Sequence, residues 1–388
     1  MPPFDYLGSF GYTVVGFLFV LTIVVFFHEL GHFLVGRWCG VGVKIFSVGF
    51  GPEIVGFTDR YGTRWKLSAI PLGGYVKFLG DETEAGGTDR DALQTMSDAE
   101  RKHAFASKGV AARAAIVVAG PVANFILAIV IFTFLFAVYG REVTEARVDG
   151  VAPGSAAEMA GFQPGDVIRQ LDGVEIGNFG DFQRAVSINA GTPLTIVLDR
   201  AGQSVTIVAT PVLKESTDRF GNKQRVGQLG IQRQTTPENI TRERYALPQA
   251  ALLAVQDTWF VVDRTLVYIG NLILGNESAD QLGGPIKVAQ ISGQVAELGL
   301  LPLINLAALL SISIGLINLF PVPILDGGHL LFYAIEALRG KPLPDRIQEY
   351  GFRVGFAALM LLMLFTIVND THQWWGKLFL QLGQIIFI

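Results

Sequence analysis

A single cysteine, Cys39, occurs in the 388 residues, so no disulfide can form within the chain. Charge is also scarce: 16% of residues are charged against 50% hydrophobic, and the mean hydropathy is +0.42. That balance excludes an ordinary soluble enzyme, yet the chain is too polar for a plain bundle of spans. A membrane protein with a soluble insert fits. No basic excess is present, with 30 Lys and Arg against 34 Asp and Glu for a net charge of −4, so no nucleic-acid partner is expected. The opening decapeptide MPPFDYLGSF lacks the basic region of a signal peptide. The apolar run that follows is therefore expected to be a retained span.

Within that run, Thr13 to Trp38 reads TVVGFLFVLTIVVFFHELGHFLVGRW. It exceeds the roughly 20 apolar residues that cross a bilayer as a helix, yet it carries His28, Glu29 and His32, which hydrocarbon disfavours. The order His-Glu-Leu-Gly-His sets two imidazoles one turn apart on one helix face, with the carboxylate beside the first. Two such imidazoles reach one Zn2+ at about 2.0–2.1 Å, and a third protein ligand leaves a fourth position for water. Zinc brings the pKa of that water to about 7, so Glu29 is expected to serve as general base and then to protonate the leaving amine. Gly31 is expected to keep the helix uncrowded beside the metal.

Four runs are long enough to span: about 10–37, 112–139, 301–322 and 352–369. Leu247 to Leu274, interrupted by Asp257, Asp263 and Arg264, and Ile286 to Leu298, with Lys287, Gln290, Gln294 and Glu297 interleaved, read as amphipathic helices lying against the membrane. Lys and Arg crowd the loop between the first two spans, from Arg37 to Arg113, and recur between the last two at Arg339, Lys341, Arg346 and Arg353. The positive-inside rule puts both loops in the cytoplasm and both termini, with the 140–300 segment, outside.

The third run ends in Asn318-Leu-Phe-Pro-Val-Pro-Ile-Leu-Asp326-Gly-Gly-His329. Pro321 and Pro323 break the helix, and unwound backbone at membrane depth must line protein or water. An aspartate before two glycines is commonly a turn or cap residue. Here it lies at the cytoplasmic end of its span, as His28 and His32 do of theirs, so the three can meet.

HELGH in the first span paired with NLFPVPILDGG in the third resembles the site-2 protease family of intramembrane zinc metalloproteases, in particular the bacterial branch that regulates sigma-E-type envelope stress signalling. The resemblance extends to Gly120-Pro121-Val-Ala-Asn124, to 46–52, to Pro71-Leu-Gly-Gly-Tyr-Val-Lys77 and to Gly284-Pro285-Ile286. It implies His28, His32 and Asp326 as zinc ligands, Glu29 as base, and Asn318 as a group that holds substrate backbone or the oxyanion. Gly73, Gly74 and Asn124 join the implied substrate-binding set, although an asparagine in a span also serves helix packing. The family's best-known members carry two tandem PDZ modules, whereas one is legible here.

That module falls in Val148 to Leu213, with a short helix at Ala156-Ala157, a hairpin at Asp172-Gly173 and paired strands at 194–198 and 205–209. A PDZ module takes extended peptides by strand addition, commonly at a free C-terminus; a small outer domain can equally block access to the site. Arg64 to Phe78 reads as two short strands around Pro71 and Gly73-Gly74, with Trp65, Leu67 and Ala69 alternating against Lys66 and Ser68. The resemblance makes it a hairpin dipping toward the metal, an edge on which an unwound substrate helix recovers its lost hydrogen bonds. Asp81 to Lys108 is expected to be loop or short helices, and His103, His372 and His329 are not expected to be ligands.

The expected fold is thus an α-helical polytopic membrane protein of about four spans, with an inserted α+β, barrel-like PDZ domain and a membrane-associated β-hairpin. The protease core takes 1–139 and 301–388, the PDZ domain 140–236, and amphipathic linker helices 237–300. The expected activity is zinc-dependent cleavage of single-pass transmembrane proteins in the bacterial inner membrane, after an outer protease has trimmed them, with an anti-sigma factor as the leading substrate class. Remnant signal peptides or polarity proteins are alternative substrates. A non-catalytic PDZ adaptor is a rival of another kind; a transporter would show inverted repeats and more spans.

Overall fold

The computed structural model describes residues 3–83, 86–88, 94–217, 223–234, 236, 239–275, 279 and 282–386. Among the described residues four helices are long and apolar enough to cross a membrane: Phe10–Trp38, Val110–Tyr139, Leu300–Asn318 and Arg346–Thr371. The first is the greater part of a helix that begins at Pro3. The second carries Pro121 inside it, widens into a π turn at 135–139 and stops at Gly140 with φ +78°. The third ends at Asn318, four residues short of the expected 322, because Pro321 and Pro323 cannot continue the ladder. The chain turns through 319–325 and starts a new helix, Asp326–Arg339, which a left-handed Gly340 closes. The fourth span belongs to one long helix, Asp345–Ile386.

The residues fall into two compact units. One holds the first, third and fourth spans, the second as far as Phe132, the sheet that follows the first span and the helix Pro285–Glu297. That helix is amphipathic as expected, and it packs along the first span. Ser292, Gly293 and Val295 are buried, and a Cβ on Gly16 would stand 2.7 Å from the Ser292 carbonyl. Small residues on both helices let the backbones meet. The N-terminus of Pro285–Glu297 is capped from the fourth helix, where the Asp370 carboxylate accepts from the Gly284 amide at 3.1 Å and the Lys287 amide at 3.0 Å.

The sheet corrects the hairpin expected at 64–78. Strands Val43–Thr58 and Arg64–Phe78 pair antiparallel where 55–58 meet 64–67 and where 45–48 meet 74–77, but 45–48 also pair on their other side with 64–67, and there the two stretches run in the same direction. The halves of Arg64–Phe78 flank another strand and do not pair with each other. Pro71 has no amide to give a ladder, and Gly73 takes φ +134°, so the chain swings across. The expected alternation holds at Trp65, which packs against Phe33 and Phe46, and fails beyond it: Ser68 is buried, its hydroxyl 3.0 Å from that of Ser47, while Leu67, Ala69, Ile70, Phe50, Ile54 and Phe57 are exposed.

The second unit takes 133–253 and 266–281. A four-stranded sheet runs in the order Gln203–Ala209, Leu194–Arg200, Val167–Leu171, Val174–Glu175, with helices Ala156–Met159 and Phe179–Ile188. Val148, Ala157, Ile168, Phe182, Leu194, Ile196 and Leu198 form its core. Asp172 and Gly173 are both left-handed (φ 48° and 81°), the geometry of a tight hairpin turn. Strand Ile240–Glu243, in the stretch assigned to linker helices, instead pairs with Arg141–Thr144. The helix Leu247–Ile273 follows.

Candidate metal centre

His28 and His32 stand one turn apart on the first span, and Asp326 opens the helix after the proline-broken turn. The fold brings their ligand atoms together. His28 Nε2 is 3.2 Å from Asp326 Oδ2, His32 Nε2 is 3.6 Å from it, and the two imidazole Nε2 atoms are 3.2 Å apart. Among the described residues this is the one group of three able to hold a metal ion. Donors at about 2.0–2.1 Å from a tetrahedral ion lie about 3.3–3.4 Å from one another, so the spacing fits zinc.

Protonation gives a second, independent fit. His32 Nδ1 lies 2.9 Å from the Ile116 carbonyl, which can only accept, so the ring proton sits on Nδ1 and Nε2 carries a lone pair. Asp326 Oδ2 is buried and receives no hydrogen bond. Lone pairs converging in a buried site repel unless a cation stands between them. In the same turn of the second span Pro121 has no amide to give the Val117 carbonyl.

Two glycines set the walls. A Cβ on Gly120 would lie 2.2 Å from His32 Nε2 and 2.9 Å from His28 Cε1, so only glycine lets the second span pass the imidazoles. Gly31 plays a different part from the one expected: a Cβ there would meet the Ala119 carbonyl at 2.2 Å, so it permits helix contact and does not clear the metal. Sequence reading did not single out Gly120 as a site residue. A Gly-Pro pair inside an apolar span was the available signal.

Glu29 points from the same helix toward the sheet. A Cβ on Gly74 would come within 3.0 Å of Glu29 Cγ, and one on Gly73 within 2.5 Å of the Phe50 ring. Gly74 therefore sits where backbone passes close to the Glu29 side chain, and Gly73 where it passes the Phe50 ring. The sheet is tied to the first span by Arg37, whose guanidinium donates to Asp59 at 2.7 Å and to Thr63 Oγ1 at 2.8 Å. Burial would push the Asp59 carboxyl up, but hydrogen bonds from Trp65, the Thr63 and Tyr61 amides and Arg37 hold it down at about 2. Farther along, burial pushes Asp81 up to about 7 against one bond from the Phe78 amide.

Asn124, fully buried on the second span, has its amide 3.3 Å from His28 Nδ1. Asn318 is half-buried at the last residue of the third span. His329 packs against Tyr333 and Phe352, with ring centroids 6.5 and 5.3 Å away, and is outside the metal group. His103 donates from Nδ1 to the Gly40 carbonyl at 2.9 Å, and the side chain of His372 lies outside the described residues.

A family model described as peptidase family M50 matches residues 16–362. A protein of Agrobacterium fabrum that carries a zinc-metalloprotease name is 51% identical over 357 residues, covering 92% of this chain and 95% of that one. Metalloprotease MmpA of Caulobacter vibrioides is 38% identical, with 93% and 96% covered. The regulator of sigma-E protease RseP of Salmonella typhimurium is 31% identical, with 92% and 98% covered; the 457-position alignment is longer than this chain, so that relative carries insertions.

Proposed function

The chain belongs to peptidase family M50, the site-2 protease family of zinc metalloproteases, and from this premise we propose that it cuts transmembrane segments of single-pass proteins inside the bilayer. The observation that carries the proposal is the convergence of His28, His32 and Asp326 at tetrahedral spacing with Glu29 beside them and Gly74 against Glu29. Zinc held by those three side chains supplies a Lewis acid and brings the pKa of water toward neutrality. Glu29 takes the proton and returns it to the leaving amine. A structural zinc site is usually closed by four protein ligands; three ligands with a base alongside suit catalysis over the adaptor reading.

A substrate helix hides its peptide bonds and must unwind before it can be cut. The strand through Gly73 and Gly74 gives the unwound segment a partner beside Glu29. Asn318, at the unwound end of the third span, is the proposed donor to substrate backbone or oxyanion. The outer unit, with its sheet and two helices, is proposed as a single PDZ module that takes a peptide C-terminus, screens access, or does both. In this reading the enzyme sits in a bacterial inner membrane, with both termini and the outer unit on the periplasmic side. Its proposed substrate is an anti-sigma-like protein already cut by a first protease. The Salmonella relative named for sigma-E regulation supports that class; remnant signal peptides are the second.

In cells, Glu29→Gln should make truncated single-pass stubs accumulate in the membrane while wild type clears them. A proteomic comparison of membrane fragments reads this directly. Equal fragment patterns in the two strains would favour the adaptor.

A further inference from the structure

We propose that Asn124 is the positioning residue that fixes His28 as a zinc ligand, with its amide oxygen accepting the proton of His28 Nδ1. The inference rests on the zinc site described above. Each metal-bound imidazole must carry its proton on the nitrogen that does not face the metal, and an acceptor there fixes both tautomer and ring orientation. For His32 that acceptor is the Ile116 carbonyl. For His28 the group at Nδ1 is the Asn124 side chain, at 3.3 Å.

Asn124 is completely buried, and its Oδ1 has no hydrogen-bond donor to serve. An amide donating to Nδ1 would force the His28 proton onto Nε2, toward Asp326 and away from its use as a ligand. Oxygen and nitrogen of the amide fill nearly the same envelope, so a half-turn about the last side-chain bond exchanges them without moving a neighbour. The half-turn brings Oδ1 to Nδ1–H and leaves Nε2 bare for zinc.

The rest of the residue is held from the third span. Ser311 donates its hydroxyl to the Asn124 carbonyl at 2.9 Å, and a Cβ on Gly315 would stand 3.1 Å from Asn124 Cβ. The backbone therefore cannot drift from His28. Two spans cooperate: one carries the amide, the other presses it into place. This assignment gives Asn124 a role toward the ligand in place of substrate contact.

The test uses the full chain in detergent, with zinc affinity read by chelator competition. Asn124→Leu keeps the volume and removes the acceptor, and should weaken zinc binding roughly 10–100-fold. Asn124→Asp restores an acceptor and should bind within a few-fold of wild type. Cadmium-loaded protein with 15N-histidine adds a signature: in Asn124→Asp the His28 Nδ1 resonance should move while that of His32 stays. Wild-type affinity in Asn124→Leu, equal loss in both variants, or an unmoved His28 resonance would overturn the assignment. Failure of the zinc site itself shows up separately, as wild type and His28→Ala binding zinc alike.

Discussion

At the scale of the residue, the site is built from atoms that no neighbour inside the protein satisfies. Asp326 Oδ2 lacks a donor, and His32 turns a bare Nε2 toward it because Ile116 holds the other nitrogen. Gly120 is the residue most exposed to insult, since one methyl group would meet His32 Nε2 at 2.2 Å. Gly120→Ala should lose zinc by at least the roughly 10–100-fold that displaced support costs a ligand, as read by metal content after dialysis. Asp81 gives a pH test. Burial pushes its carboxyl up to about 7 from the ordinary value near 3.8, so the neutral form stabilises the protein below pH 4 and that contribution is lost as pH rises through 7. At roughly 1.4 kcal/mol per unit, the loss is a few kcal/mol. Asp81→Asn should therefore raise the melting temperature at pH 8 and leave it near wild type at pH 4. The ligand types were legible in the sequence because HELGH spacing is a local, helical fact. The Ile116 carbonyl was not, since main-chain groups leave no letter in a sequence.

At the scale of the element, helix and strand followed different rules. Spans announced themselves by length and apolarity, and the third was overrun only because proline stops a helix before the apolar letters stop. The sheet was misread for a physical reason. Alternation marks which residues share a face but not which face is inside, and here the apolar set, Phe50, Phe57, Leu67 and Ile70, is outside while Ser47 and Ser68 meet within. Pairing of 45–48 on both sides is likewise invisible to local pattern, because it depends on where the 49–62 excursion returns. Between elements, Asp370 serves as the N-cap of Pro285–Glu297 in place of any residue of that helix. Asp370→Ala should cost about 0.5–2 kcal/mol, seen as a lower melting temperature with zinc content unchanged.

For the whole molecule, the fold brings the three ligands together, and the basic loops of the sequence predict which side of the membrane they face. His28, His32 and Asp326 share the end of their spans near the basic loops, which predicts chemistry near the inner leaflet and release of product to the cytoplasm. Cys39, the sole cysteine, follows the first span and should react in intact cells only with thiol reagents that cross the inner membrane. A cysteine placed at Glu175 in the outer unit should react with impermeant ones. The proposed reaction is cleavage of peptide bonds at a zinc site within the bilayer, with Glu29 as base. Its most direct measurement reconstitutes wild type and Glu29→Gln with a single-pass transmembrane substrate, then reads zinc content and cleavage together. The prediction is one zinc per chain in both, with the rate in Glu29→Gln down by at least about 100-fold. Glu29→Gln that keeps zinc and cuts at the wild-type rate would contradict it.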